Sequence, residues 1–431
     1  MMPKAGGFVW SVALLTPLLW AGCGSDQPYC AQIGLQAPLG NSRLALTRNA
    51  VLLRAGEGFV LAGLDGTKVR WGQLSSNGTL TGDSEFELPE KPATTAGGQP
   101  LGPLFAVAGK AAPGDQLVMV TGALQDRTTD HYELHAWVHD RESLASPTMH
   151  IVGEQMAVAS SGPIRLAASS APNGKQALVA WGVEGQAVPI HYQMIGPDGV
   201  LVGKPGDIAD SNYTANWSCL GTTQDAENLA VTFIEAPNNA HPQWPAWRRF
   251  DMNDDGSKVD RALMILNLNV KTDCRIVSTP TSDGYLLAWQ DNANNGGTSF
   301  ARLIPAPPDS GPDTIDDVVT HPVLASAYYG GYSQMPKLGW IAPVGYEFTI
   351  GLAGSRGPEV VRFDAFADPQ GRALYLPSLA GNTGPVSAWV GNDAVYVTYL
   401  DMPGSPARVD AAVAGENQRY LVTVLIPGER D

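Results

Sequence analysis

Short apolar runs recur along this chain at near-even intervals. "QALVAW" (176–181) and "GYLLAW" (284–289) are the plainest pair. "NLAVTF" ends midway between them at Phe233. The series extends outward through "FVLAG" ending at Gly63, "LVMVT" at Thr121, "YEFTI" at Ile350 and "VYVTY" at Tyr399. The steps between these seven anchors are 58, 60, 52, 56, 61 and 49 residues. A run that stays apolar at consecutive positions needs both of its faces covered, whereas a half-exposed strand alternates.

Each anchor sits in the same local order. A strand-like stretch such as "IRLAAS" (164–169), "CRIVS" (274–278) or "PKLGW" (336–340) precedes it across a short turn. A more alternating segment follows, as in "VRWGQL" (69–74), "IHYQMI" (190–195) and "EVVRFDAF" (359–366). Polar turns such as "SSNGTL", "GPDGVL", "NDDGSKV" and "DPQGRAL" then lead to a last short segment. These four segments, A to D, predict a four-stranded antiparallel meander per unit. No sustained i, i+3, i+4 pattern argues for helices. Four-stranded sheets stacked radially bury both faces of strand B, which is the arrangement of a β-propeller. The spacing predicts an all-β chain of seven blades over residues 42–428, beginning near Ser42 and ending near Pro427. Six or eight blades, or a pair of β-sandwiches, are the alternatives.

The recurrence of "LVAW"-type strands with "PDG"-type hairpins resembles the degenerate propeller repeats of bacterial surface and periplasmic lipoproteins. That group is of largely unassigned function, so the resemblance implies a fold and a location only. The N-terminus agrees with it. Lys4 precedes an apolar stretch, Phe8 to Leu19, that is too short to span a bilayer. "LLWAGC" follows, and Ala21, Gly22 and Cys23 resemble a lipobox, with Trp20 where that family prefers Leu. Residues 1–22 then read as a lipoprotein signal peptide and Cys23 as the lipidated residue. Residues 23–41 read as a flexible tether, given their Gly, Pro and polar content. This places the domain in the cell envelope, held to a membrane and facing the periplasm or the exterior.

Composition narrows the partners. The net charge is −15, only 16% of the 431 residues are charged, and no basic run occurs. Nucleic acid is therefore not expected as a partner. The 48 Gly and 33 Pro fit a turn-rich chain.

Four groups of residues carry candidate chemistry. In "FDMNDDGSK", Asp251, Asn253, Asp255 and Gly256 match the opening of a calcium loop, but Ala262 stands where the closing Glu belongs. The same residues serve equally as a C–D hairpin turn. No other cofactor is implied. In "HYELHAWVHD", His131, Glu133, His135, Trp137 and His139 share one strand face. His131 and His135 around Glu133 could chelate a zinc-like ion, or form a solvated polar face. Cys219 and Cys274 fall 14 and 15 residues before their anchors, in strand A of adjacent units. They form either a disulfide or two buried thiols; Cys30 is left over. No catalytic motif appears. The paired Asp316 and Asp317 lie in a Pro- and Asp-rich stretch read as a loop, with nothing to mark them as acid and base.

Aromatics on the B–C and D–A connections complete the inventory. "EAPNNAHPQWPAW" carries Trp244 and Trp247, and "ASAYYGGYSQMP" carries Tyr328, Tyr329 and Tyr332. "SNYTANW" adds Tyr213 and Trp217, the latter expected to pack structurally. Exposed rings of this kind stack on sugars or anchor a protein partner. The expected function is a binding or scaffold module for a protein or polysaccharide of the cell envelope. The alternative is an exported glycan-active hydrolase or lyase with dispersed carboxylates.

Overall fold

The fold is taken from a computed structural model. It describes the backbone of strands between Gln32 and Leu425, and side chains within parts of 50–94, 116–139, 166–208, 220–251, 278–313 and 395–398. The described residues form strands and turns with no helix.

The chain opens with β1 (Gln32–Pro38) and then runs through successive meanders. The first comprises β2 (Asn49–Ala55), β3 (Gly58–Asp65), β4 (Lys68–Leu74) and β5 (Leu80–Glu87). The second comprises β6 (Leu104–Ala108), β7 (Gln116–Asp126), β8 (His131–Asp140) and β9 (Thr148–Ala157). The third comprises β10 (Ile164–Ser170), β11 (Ala177–Val183), β12 (His191–Ile195) and β13 (Leu201–Asp207). The fourth has β14 (Asn216–Gln224), β15 (Asn228–Ala236) and β16 (Trp244–Met252). Its outer strand is broken into β17 (Lys258–Asp260) and β18 (Met264–Ile265). The fifth comprises β19 (Thr272–Pro280), β20 (Tyr285–Asp291), β21 (Gly297–Ile304) and β22 (Thr314–His321). The sixth comprises β23 (Lys337–Val344), β24 (Glu347–Gly354), β25 (Gly357–Phe363) and β26 (Pro369–Tyr375). The seventh sheet begins with β27 (Asn382–Thr383) and β28 (Ser387–Val390), both paired with β29 (Ala394–Met402). It continues to β30 (Gln418–Leu425) and ends on β1.

The described strands thus form seven antiparallel sheets, and the anchor of every repeat falls in a second strand. Neighbouring first strands touch in series: β2 with β6, then β10, β14, β19, β23 and β28, and β28 returns to β2. This closes a ring, and the fold is an all-β propeller. The seventh sheet corrects the expected boundaries. Residues 32–38 are not part of a flexible tether but its outermost strand, with Gln32 opposite Leu425 and Pro38 opposite Tyr420.

Side-chain alternation explains why the anchor runs are apolar throughout. In β3, Phe59 and Leu61 join Ala50, Leu52 and Leu74 on one face, where Tyr396 of the seventh sheet packs against them. Val60 and Ala62 point the other way, to Leu117, Met119 and Trp137 of the second sheet. In β11, Val179 and Trp181 meet Val118, Val120 and Leu134. Leu178 and Ala180 on its other face meet Leu229, Val231 and Phe233. β3 and β11 therefore each lie between two sheet-to-sheet cores, and each buried Val, Leu or Phe contributes about 1.5–3 kcal/mol.

The outer strands behave oppositely. β5 and β13 are largely exposed along their length. β13 carries a register shift opposite Tyr192 and Met194, with Gly203 at φ 72° within it. Lys204 and Pro205 follow, and a bulge, a charge and a proline together discourage edge-to-edge pairing. Gln193, fully buried beneath, donates from Nε2 to the carbonyls of Met194 (2.9 Å) and Val202 (3.0 Å).

Candidate functional site

Antiparallel order sorts the connections into two ends. The A–B and C–D turns leave one end of the ring, and the B–C and D–A connections leave the other. The longest connections, 88–103, 322–336 and 403–417, all belong to the second set. This long-connection end is the candidate site. Its best-described part is 88–94, where Leu88 N donates to Thr67 O (2.8 Å) and Ala93 N to Gly122 O (2.7 Å). That stretch is tied down on the first and second sheets.

The expected binding aromatics divide. Trp244 is the first residue of β16, paired with Glu235 at the last turn before the long-connection end. Tyr328, Tyr329 and Tyr332 lie outside the described residues, in the 322–336 connection that leaves the same end. Tyr213 is also outside them, and Trp217 belongs to strand β14.

Trp247 is a correction. It is not on a loop but in β16, and it is fully buried. Its ring packs on Tyr285 of the fifth sheet, 4.6 Å between centroids, and Nε1 donates to Asp313 Oδ2 (3.1 Å). The run "PQWPAW" reads as loop because of its prolines. Pro245 is tolerated in a strand because the outer partner β18 pairs only with Ala246 and Trp247.

Asp313 gathers more than Trp247. Arg249 grips it in bidentate fashion, Nε to Oδ2 at 3.1 Å and Nη2 to Oδ1 at 2.9 Å, and also pairs with Asp251. Arg249 and Asp313 are both buried. Burial pulls the Arg249 pKa down, but Asp313, then Asp251 and Tyr285, more than reverse this and raise it above its ordinary value. The guanidinium stays charged, and the cluster joins β16 of the fourth sheet to the residue preceding β22 of the fifth. Sequence reasoning singled out Asp316 and Asp317 and missed Asp313. The former two lie in β22, not in a loop, with Asp317 opposite Arg302.

For the calcium candidate, Asp251 already pairs with Arg249, while Asn253 and Asp255 lie outside the described residues. Among the described residues no group of three His, Cys, Asp or Glu is placed to hold a metal ion. His135 instead lies between carboxylates. Nε2 meets Glu133 Oε2 at 3.2 Å, and Glu90 Oε1 stands 2.8 Å from Nδ1, an ion-pair distance outside hydrogen-bond geometry. His139 is buried against Trp71 and Phe86 of the first sheet. From His135 to His139 the alternating face of β8 is thus a sheet-to-sheet contact rather than a solvated one. Trp137 within it donates to Thr121 Oγ1 (2.9 Å).

Cys219 lies in β14 and Cys274 in β19, each where the register with the following strand shifts. These two first strands touch along the ring. The cysteine side chains, like Cys23 and Cys30, are outside the described residues.

No protein-family model matches the chain, and no curated protein matches it. Solved structures do. The polysaccharide lyase Uly1 is similar with a TM-score of 0.53 at 10% identity, over 94% of this chain and 94% of that one. The WD40 domain of coronin from Toxoplasma gondii gives 0.48 at 8%, over 93% of this chain and 87% of that one. A prolyl endopeptidase gives 0.42 at 12%, over 82% of this chain but only 46% of that one, so the chain spans about half its length. At such identities the likeness is one of fold alone, and the closed ring of sheets makes that fold a propeller.

Proposed function

We propose that this protein is a lipid-anchored, exported propeller that binds a protein or polysaccharide of the cell envelope through its long-connection end. The observation that carries the reading is the segregation of connections: 88–103, 322–336 and 403–417 leave one end, and Tyr328, Tyr329 and Tyr332 belong to that set. Long connections on a rigid ring are where binding residues concentrate, because they vary without disturbing the cores beneath. Amphipathic rings there bury much area at low entropic cost. Trp244, at the edge of the same end, is the fourth ring assigned to this face. Trp247 is excluded from it by burial.

The test uses the full chain purified from membranes in detergent, applied to arrays of envelope polysaccharides and to fractionated envelope proteins. Trp244→Ala and Tyr329→Ala weaken retention of the bound fraction about tenfold or more, as for an interface anchor, with the melting temperature nearly unchanged. Trp247→Ala does the reverse, lowering the melting temperature. If the first two substitutions lower stability and spare retention, the rings are structural and the reading fails. A polysaccharide that loses viscosity on incubation replaces binding by the glycan-active reading.

A further inference from the structure

Resting on the lipid anchor at Cys23 proposed above, the geometry points to a fixed orientation: we propose that the A–B/C–D end of the ring faces the lipid surface and the long-connection end faces away from it. Gln32 pairs with Leu425, and Leu425 pairs with Ala394, which opens β29 just after its A–B turn. The chain therefore enters the propeller at the A–B/C–D end, on the outermost strand of the seventh sheet.

Only residues 24–31 separate Cys23 from Gln32. Fully extended, eight residues reach at most about 29 Å. The seven residues of β1 rise about 24 Å. For the long-connection end to lie on the membrane, the tether would have to run taut along nearly the whole height of the ring. With the short-turn end down, the tether has slack. The entropy of the tether therefore favours that end.

A second observation is independent of the tether. The large apolar side chains that stand exposed among the described residues are Val200 (57%), Leu201 (36%) and Ile304 (41%). Val200 and Leu201 lie where the C–D turn of the third sheet enters β13, and Ile304 ends β21 where the C–D turn of the fifth begins. All three are at the A–B/C–D end, where they would meet the interfacial region of a bilayer.

The test places a fluorescent donor at Val200→Cys on one end and at Lys91→Cys on the other; Lys91 is exposed in the 88–103 connection. Each lipidated full-length variant, checked by melting temperature, is reconstituted into phosphatidylethanolamine–phosphatidylglycerol vesicles carrying a headgroup acceptor. Labelling of the parent protein is subtracted. Energy transfer from position 200 should exceed that from position 91 several-fold. Equal transfer, or the reverse order, overturns the orientation while leaving the anchor intact. Cys23→Ser is measured alongside by flotation. If it floats with the vesicles as the parent does, the anchor reading itself is wrong, and the orientation falls with it.

Discussion

The charge of Arg249 lies within the contact between two sheets, and its worth depends on Asp313. The bidentate grip, the Trp247 donor and the second carboxylate at Asp251 leave the guanidinium well matched. Removing one partner strands the other in a dry contact. Arg249→Leu or Asp313→Leu should each cost about 3–5 kcal/mol in urea unfolding. The double substitution should cost less than the two singles together, because the buried charge that either single variant strands is removed along with its partner. Because the Arg249 pKa is raised, its contribution is present below its ordinary range and is lost only above it. Alkaline titration across the range where proteins are usually handled should therefore leave this cluster intact. Cys219 and Cys274 offer a second residue-scale test. A bridge between them closes a loop of about 55 residues and adds roughly 4 kcal/mol in the chain-entropy model. Mass spectrometry of denatured, alkylated protein should find both sulfurs blocked to alkylation until reductant is added. Alkylation of both without reductant discards the bridge.

At the scale of elements, sterics decide. A Cβ at Gly58 would collide with the carbonyl oxygen of Leu74, a backbone atom that cannot step aside. Gly58→Ala should therefore cost about 1–3 kcal/mol, the usual range for overpacking. Gly82 has open space around its missing Cβ, and Gly82→Ala should stay within about 0.5 kcal/mol of the parent by the same urea measurement. The second strands were legible in the sequence because burial on both faces removes alternation. Val179, Ala180 and Trp181 advertise β11 without help from any partner. The C–D hairpins were legible through their Asn, Asp and Gly. β16 was not, since its prolines imitate a loop. β1 was not either: Ile33 and Leu35 in "QIGLQAP" are a faint signal, and the strand that needs them is at the far end of the chain. The candidate site was legible only as a set of long connections, because residues that converge from different sheets leave no spacing in the sequence.

For the whole molecule, closure by β1 carries a specific expectation. Deleting residues 32–38 leaves β30 as an unpaired edge between β29 and solvent. Unpaired edges template association. The deleted protein should melt at lower temperature and form oligomers by light scattering, whereas deletion of 24–31 should change neither. A monomeric, equally stable product of the first deletion would mean that β1 is dispensable for closure.

That same pairing sets the order in which the molecule can be completed. Gln32 is made long before its partner Leu425 and must wait for it. Every other sheet draws its strands from neighbouring stretches of chain, so each can assemble as soon as its own residues are present. The ring cannot be sealed in that piecemeal way. Its final step joins stretches far apart in the sequence, the kind of contact that folding reaches slowly. A chain emerging from its N-terminus thus carries its closing strand without its partner until β30 has been made. The sparse apolar content of "QIGLQAP", with a glycine inside and a proline at its end, suits a strand that must remain unattached until its one partner arrives.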